Sequence, residues 1–324
     1  MNKALGTLGL SIAAALGACL AHAAEPSPPA LTAPDPAALP NDAWGATVRY
    51  GRDLLTQTAK LIGPQAQNPA LRYAGNNLAC QSCHIDAGTK AYGLPLTGAF
   101  ADYPNYRARE GKVGTLPERI NGCLTRSLNG KPMPEGSAQM TAIIAYLRFL
   151  SLGSKVGTPI STRGPGPIQT MSRAADPIRG QDIYSAQCAA CHGSNGQGQR
   201  AAPGDPTFAI PALWGDDSFN DGAGMARLST AAAFIRNNMP HGTSWPAPSL
   251  TEADAWDVAA FLEAQPRPHM AGLERDYPKL NEKPVDAPYG PYADSFPAIQ
   301  HKYGPFGPIR ATLNASIAAS KDGN

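Results

Sequence analysis

Two pentapeptides constrain this chain more than anything else in it: Cys80-Gln81-Ser82-Cys83-His84 and Cys188-Ala189-Ala190-Cys191-His192. Cys-x-x-Cys-His is the spacing of c-type haem attachment. The two thiols add across the haem vinyl groups, and the adjacent imidazole becomes the proximal iron ligand. All three groups must lie within one tight turn, so chemistry sets the spacing. A single copy also fits half of a zinc site. Two copies, each at the end of a plausible helix, point to a dihaem cytochrome c. The expected fold is all-α, with two cytochrome c-like domains in tandem, each carrying one covalent haem c group on Cys80 and Cys83 or on Cys188 and Cys191.

The chain of 324 residues is long enough for two small domains plus tails. Its net charge is only +2, so a general nucleic-acid or membrane-surface role has no electrostatic support. Charged residues make up 16% of the chain, against 33 Gly and 32 Pro. Small helical domains with long loops around a buried prosthetic group produce that balance.

Residues 1–23 read as a secretory signal peptide, with Lys3 as the positive region, an apolar run to Leu20 and an Ala21-His22-Ala23 cleavage site. The apolar run is too short and too rich in Ala and Gly for a membrane span. Leu16-Gly17-Ala18-Cys19 is a weaker, lipoprotein-like alternative. Either reading exports the chain, and the periplasm is the expected compartment. Residues 24–40 are rich in Pro and Ala and read as a disordered lead-in.

Residues 44–62 have helical apolar spacing, ended by Gly63-Pro64. Residues 137–150 form a second helical pattern, with Met140, Ile143, Ile144, Leu147 and Leu150 on one face. A first domain over 41–155 is followed by a linker over 156–172 rich in Gly, Pro, Ser and Thr. A second domain over 173–270 begins with a short helix running into the second haem motif. Its last helix opens on a capping box, Thr251-Glu252-Ala253-Asp254. The two domains read as diverged copies of one plan: Gly51-Arg52-Asp53-Leu54 echoes Gly180-Gln181-Asp182-Ile183, and Ala145-Tyr146-Leu147 echoes Ala260-Phe261-Leu262. The C-terminal extension, residues 271–324, fits neither copy. Its aromatic Gly-Pro motifs suggest an extended strap lying on a domain surface, with a disordered tail confined to about the last dozen residues.

What faces each iron opposite its histidine decides the function. Electron-transfer haems usually take His plus Met. In the second copy Met239 is the expected partner of His192, with Met225, His241 and His269 as rivals. Met239 lies 22 residues before Phe261; going back 23 from Tyr146 in the first copy reaches Cys123, and no methionine lies there. Of six cysteines, four belong to the haem motifs and Cys19 to the signal peptide, which leaves Cys123 alone. A leftover thiol in an oxidising compartment is either a small buried hydrophobe or a reactive group. The reactive reading makes Cys123 a thiolate opposite His84 or a nucleophile beside it. Arg107, Arg109, Lys112, Arg119, Arg126 and Lys131 cluster around it, which is either a solvated face, a haem propionate site or a device that lowers the thiol pKa and binds oxyanions. Ser127 and Asn129 add neutral hydrogen bonds. The last reading fits a small sulfur oxyanion.

At these residues the chain resembles the dihaem thiosulfate dehydrogenases, which also act as tetrathionate reductases. The resemblance runs from about residue 42 to 310. It is carried by Leu78-Ala79 through His84, by Ala87-Gly88-Thr89-Lys90 and Tyr92-Gly93-Leu94-Pro95, and above all by Arg119-Ile120-Asn121-Gly122-Cys123 through Arg126-Ser127 to Asn129-Gly130-Lys131-Pro132. Lys302-Tyr303-Gly304-Pro305-Phe306 also matches. The resemblance implies His84/Cys123 ligation at haem 1, where thiosulfate reacts, and electron exit through haem 2 to a c-type cytochrome. Some members place a Lys directly before the haem 2 Met. Asn238 stands there in this chain, so plain His192/Met239 ligation is expected. Arg109 and Arg119 are the foremost expected substrate contacts. A plain dihaem electron carrier predicts methionine on both irons, a dihaem peroxidase needs an openable iron, and the Cys-ligated haem subunit of a periplasmic sulfur-oxidising complex needs a partner subunit and a carrier protein.

Overall fold

The computed structural model describes residues 33–322 apart from 159 and 161, so the expected signal peptide, Cys19 and most of the lead-in lie outside the described residues. Among the described residues eleven helices carry the fold. They are α1 (Ala43–Thr56), α2 (Thr58–Ile62), a short turn α3 (Ile85–Gly88), α4 (Leu116–Arg126), α5 (Ala138–Leu150), α6 (Pro177–Gln187), α7 (Ala189–His192), α8 (Leu228–Asn238), α9 (Glu252–Ala264), α10 (Ala298–Tyr303) and α11 (Phe306–Asp322). The β structure is slight: hairpin β1 (Asn105–Arg107) with β2 (Lys112–Gly114), and the pair β3 (Gln199–Arg200) with β4 (Phe208–Ile210), both antiparallel.

Each unit is built on one helix crossing, α1 on α5 and α6 on α9. A glycine sets each crossing. A Cβ on Gly51 would stand 2.0 Å from Ala142 O, and one on Gly180 would stand 1.9 Å from Asp257 O. Only the bare backbone lets the helices approach that closely. The echoed Gly-x-Asp segments of the sequence are therefore the same packing device used twice. The crossing helices start where the sequence signals it: Ser137 Oγ accepts from Met140 N–H, and Thr251 Oγ1 accepts from Asp254 N–H.

The first core holds Val48, Leu54, Leu55, Ile62, Leu78, Leu124, Met140, Ile143, Tyr146, Leu147 and Leu150. The second holds Tyr184, Leu228, Ile235, Leu250, Trp256, Val258 and Leu262. The expected helix over 44–62 is broken at Gln57, where α1 ends and α2 begins. Thr58, at the start of α2, accepts the Cys80 N–H on its Oγ1 at 3.1 Å, so the break serves to place the first haem motif.

Two expectations need correction. The lead-in is ordered over its described part. Pro36–Ala38 forms a 3-10 turn capped by Asp35, Leu39 packs on the first core, and Arg49 donates to Leu39 O and Pro40 O. Over its described part the C-terminal extension is not an extended strap throughout, nor is its tail irregular there. Residues 271–297 wind across the surface, and then α10 and α11 form. Phe306, Ile309 and Leu313 lie at helical spacing and bury against the second core, so tertiary packing overrides the Gly and Pro signals. Among the described residues no helix is long and apolar enough to cross a membrane.

Candidate functional site

Hairpin β1–β2 leads into α4, and α4 carries Cys123. The helix starts on a reciprocal cap: Glu118 N–H donates to Thr115 Oγ1 at 3.3 Å, and Thr115 N–H donates to Glu118 Oε2 at 2.7 Å. The next residue, Arg119, donates from Nη1 to Cys123 Sγ, one turn on, at 2.8 Å. The i, i+4 spacing puts the cation and the thiol on one helix face.

Cys80, Cys83, His84 and Cys123 line one cavity, closed by Leu55, Ile62, Leu78, Leu96, Leu124, Leu128, Ile143 and Leu147. The donor set fits a c-type haem. Two free thiols and an imidazole share the cavity with a third sulfur, and the walls are aliphatic. His84 Nδ1 donates to Leu94 O at 2.6 Å, which fixes the tautomer and leaves the Nε2 lone pair available. The three thiols differ electrostatically. Burial pushes Cys80 up to about 11 and Cys83 up to about 12. Burial also raises Cys123, but the Arg119 guanidinium and the His84 ring outweigh it and bring that thiol down to about 6.

The other expected site residues fall into two groups. Ser127 lines the cavity, as Cys123 does. Arg109, Arg126, Asn129 and Lys131 have partners elsewhere. Arg109 donates to Gly222 O at 2.7 Å and lies over the Tyr277 ring. Arg126 makes a two-pronged pair with Asp276 at 2.8 and 2.9 Å. Asn129 Oδ1 accepts from Asn220 Nδ2, and Lys131 sits over the Tyr73 ring. Of the two arginines foremost in the sequence reading, Arg119 is on the thiol, while Arg109 bonds the second unit and the C-terminal extension. Tyr103, which the sequence reading does not single out, joins the Cys123 cluster. Burial raises its phenol above the ordinary value, and Arg119 and Arg107 oppose that. Its only sequence signal is its place beside the basic run.

In the second unit, His192 Nδ1 donates to Pro211 O at 3.0 Å, repeating the carbonyl anchor of His84. Burial holds that imidazole below its usual pKa, which favours the neutral form that ligates iron. Met239 caps the C-terminus of α8 and packs on the second core, as Cys188 and Ala189 also do. Its rivals sit elsewhere: Met225 packs with Phe219 and Ala223, His241 is exposed, and His269 pairs with Asp221 at 2.6 Å.

Residues 72–156 match the family described as SoxA/TsdA, cytochrome c domain, and residues 178–266 match the cytochrome c family. The chain is 40% identical over 279 residues to a thiosulfate dehydrogenase of Thiomonas intermedia, covering 83% of this chain and 84% of that one. It is 41% identical over 253 residues to a thiosulfate dehydrogenase of Allochromatium vinosum, covering 77% and 88%. The solved thiosulfate dehydrogenase TsdBA from Marichromatium purpuratum superposes with a TM-score of 0.68 at 35% identity, over 75% of this chain and 50% of that one. This chain thus spans half the length of that solved relative. Two cytochrome c units, two haem motifs and identity maintained across most of the chain place it in the thiosulfate dehydrogenase family.

Proposed function

We propose that the protein is a thiosulfate dehydrogenase that joins two thiosulfates into tetrathionate and passes two electrons to a c-type cytochrome. The same site serves the reverse reaction as a tetrathionate reductase. The observation that carries this reading is the Arg119–Cys123 contact in the cavity of the first haem motif. In this reading Cys80, Cys83, His84 and Cys123 would hold haem 1, and Cys188, Cys191, His192 and Met239 would hold haem 2. When bound, the two haems supply two one-electron acceptors.

Arg119 stabilises Cys123 as a thiolate and offers guanidinium donors to a thiosulfate sulfonate. The sulfane sulfur of the first thiosulfate bonds to Cys123 Sγ, and two electrons leave, giving a cysteine S-sulfane sulfonate. The sulfane sulfur of a second thiosulfate then attacks the outer sulfur. The outer sulfur's bond to Cys123 breaks, tetrathionate departs, and the thiolate returns with no net proton change. Ser127 lines the same cavity and supplies a hydroxyl there. Arg109 and Arg126 act as positioning residues in this scheme, since both engage Gly222 O and so bind α4 and its hairpin to the second unit.

The test is thiosulfate-driven haem reduction by the holoprotein and by its Cys123→Ala variant. The expected result is haem reduction in the first and none in the second. Unimpaired turnover by the variant excludes the scheme. The N-terminal segment read as an export signal is consistent with a periplasmic site of action, which fractionation of the expressed full-length chain checks.

A further inference from the structure

The segments behind the two expected axial ligands are hydrogen-bonded to each other across the boundary between the units. Leu94 O holds His84 Nδ1 at 2.6 Å. Two residues earlier, Tyr92 O accepts from Asn238 Nδ2 at 2.9 Å, and Asn238 directly precedes Met239. The loop between these anchors is firmly held. Tyr92 and Leu94 both sit in the left-handed region, with φ of 58° and 52°. Their N–H groups donate to Thr162 O and Gly164 O, each at 3.1 Å. Asn237, the neighbour of Asn238, donates from Nδ2 to Pro165 O and Pro167 O at 3.0 Å each, so it grips the same linker from the other side. Gly166 lies between those carbonyls, and a Cβ there would stand 2.5 Å from Asn237 Nδ2.

Stability alone does not account for Asn238. It is 1% exposed, and its Oδ1 is buried with no partner among the described residues. A buried amide with an unpaired acceptor carries an uncompensated desolvation cost, which an apolar side chain of similar volume avoids. What the amide adds is a directed bond: one donor reaching Tyr92 O, and also Phe234 O one turn back in α8.

We propose that Asn238 is a positioning residue that ties the ring orientation of His84 to the placement of Met239, so that the two haem sites are set together rather than independently. A shift of the Met239 segment pulls on Tyr92 O and is felt at Leu94 O, two residues along a constrained loop. The proposal rests on the reading of His84 and Met239 as axial ligands.

The experiment compares oxidised holoprotein with its Asn238→Leu and Asn238→Asp variants, both of which lose the donor, the aspartate being read at a pH where its carboxyl is ionised. Four quantities are read: the electron paramagnetic resonance signal of haem 1, the methionine-to-iron charge-transfer band of haem 2, the haem 2 midpoint potential and the thermal unfolding midpoint. The expected result is a displaced haem 1 signal in both variants, although the substitution lies in the other unit. With it comes a change of about tenfold in the haem 2 reduction equilibrium, about 59 mV for a one-electron couple. The leucine variant unfolds no earlier than the parent protein. If the leucine variant does not fold, the near-isosteric aspartate variant carries the same test. Folded variants with an unchanged haem 1 signal overturn the proposal, including the case in which haem 2 alone responds. A parent protein without the methionine band removes the ligand assignment itself, and the proposal with it.

Discussion

The two cytochrome units share a scaffold and differ in what that scaffold aims at the haem. Both cross two helices over a glycine, and both anchor the proximal histidine by Nδ1 to a backbone carbonyl. The first has hairpin β1–β2 leading into α4, which brings Cys123 to the cavity with Arg119 bonded to its sulfur. The second brings Met239 on the cap of α8. A neutral thioether suits outer-sphere electron transfer, whereas an anionic sulfur next to a cation suits bond formation at sulfur. In the proposed reading, division of labour comes from the distal segment, while the attachment motif is common to both.

The largest predicted effect comes from making the first unit resemble the second. Cys123→Met is expected to leave a bound haem 1 of raised potential and to lower thiosulfate turnover by about a thousandfold or more, since the nucleophile is gone. Spectroelectrochemistry and steady-state assay check this. Retained turnover would dissolve the distinction between the units.

The next effect belongs to the second unit. Glu263 on α9 corresponds to exposed Arg148 on α5, but it is buried beside Arg267 at 3.2 Å. Burial pushes its carboxyl up to about 7, against the opposing pull of Arg267. A carboxyl whose folded pKa is raised releases its proton first in the unfolded chain. Stability therefore falls as pH rises between about 4.5 and 7, by roughly 3 kcal/mol from this group. Denaturant titrations at pH 5 and pH 8 are expected to show that loss in the parent protein and not in Glu263→Gln. An equal loss in both would assign it to other groups.

Arg119→Gln removes a charge-assisted contact to Cys123 and is predicted to reduce kcat/KM by about tenfold to a hundredfold. Arg109→Gln acts through the unit boundary, so it is expected to change thermal stability more than kcat/KM. A reversed ranking would move the substrate contact to Arg109. The smallest effects test the shared scaffold. Gly51→Ala and Gly180→Ala are each expected to cost about 1–3 kcal/mol by forcing a helix crossing apart. Closely similar losses confirm one packing device used twice.

How much of this is legible in the sequence follows from the range of each interaction. The haem motifs are legible because covalent attachment confines five consecutive residues. Cys123 is legible because four cysteines are accounted for by chemistry and one falls in the segment read as a leader. The helix that carries it was missed, although Thr115-x-x-Glu118 with Pro117 marks its start. The roles of Arg109 and Arg126 are not legible, because their partners Gly222 and Asp276 lie 96 to 150 residues further along the chain. A basic run near a thiol reads the same whether its guanidinium groups meet substrate or a distant carbonyl. Helix α11 was hidden for a related reason: Gly304, Pro305, Gly307 and Pro308 signal irregular chain, and only the second core shows why Phe306, Ile309 and Leu313 coil together.

The central claim is that the first haem takes Cys123 as a thiolate opposite His84. The measurement that tests it most directly is the electron paramagnetic resonance spectrum of the oxidised holoprotein beside that of Cys123→Ala. The predicted result is a low-spin His/thiolate species in the first that disappears in the second, with the haem 2 signal intact in both. A His/thiolate species absent from the parent protein, or present unchanged in the variant, contradicts the account.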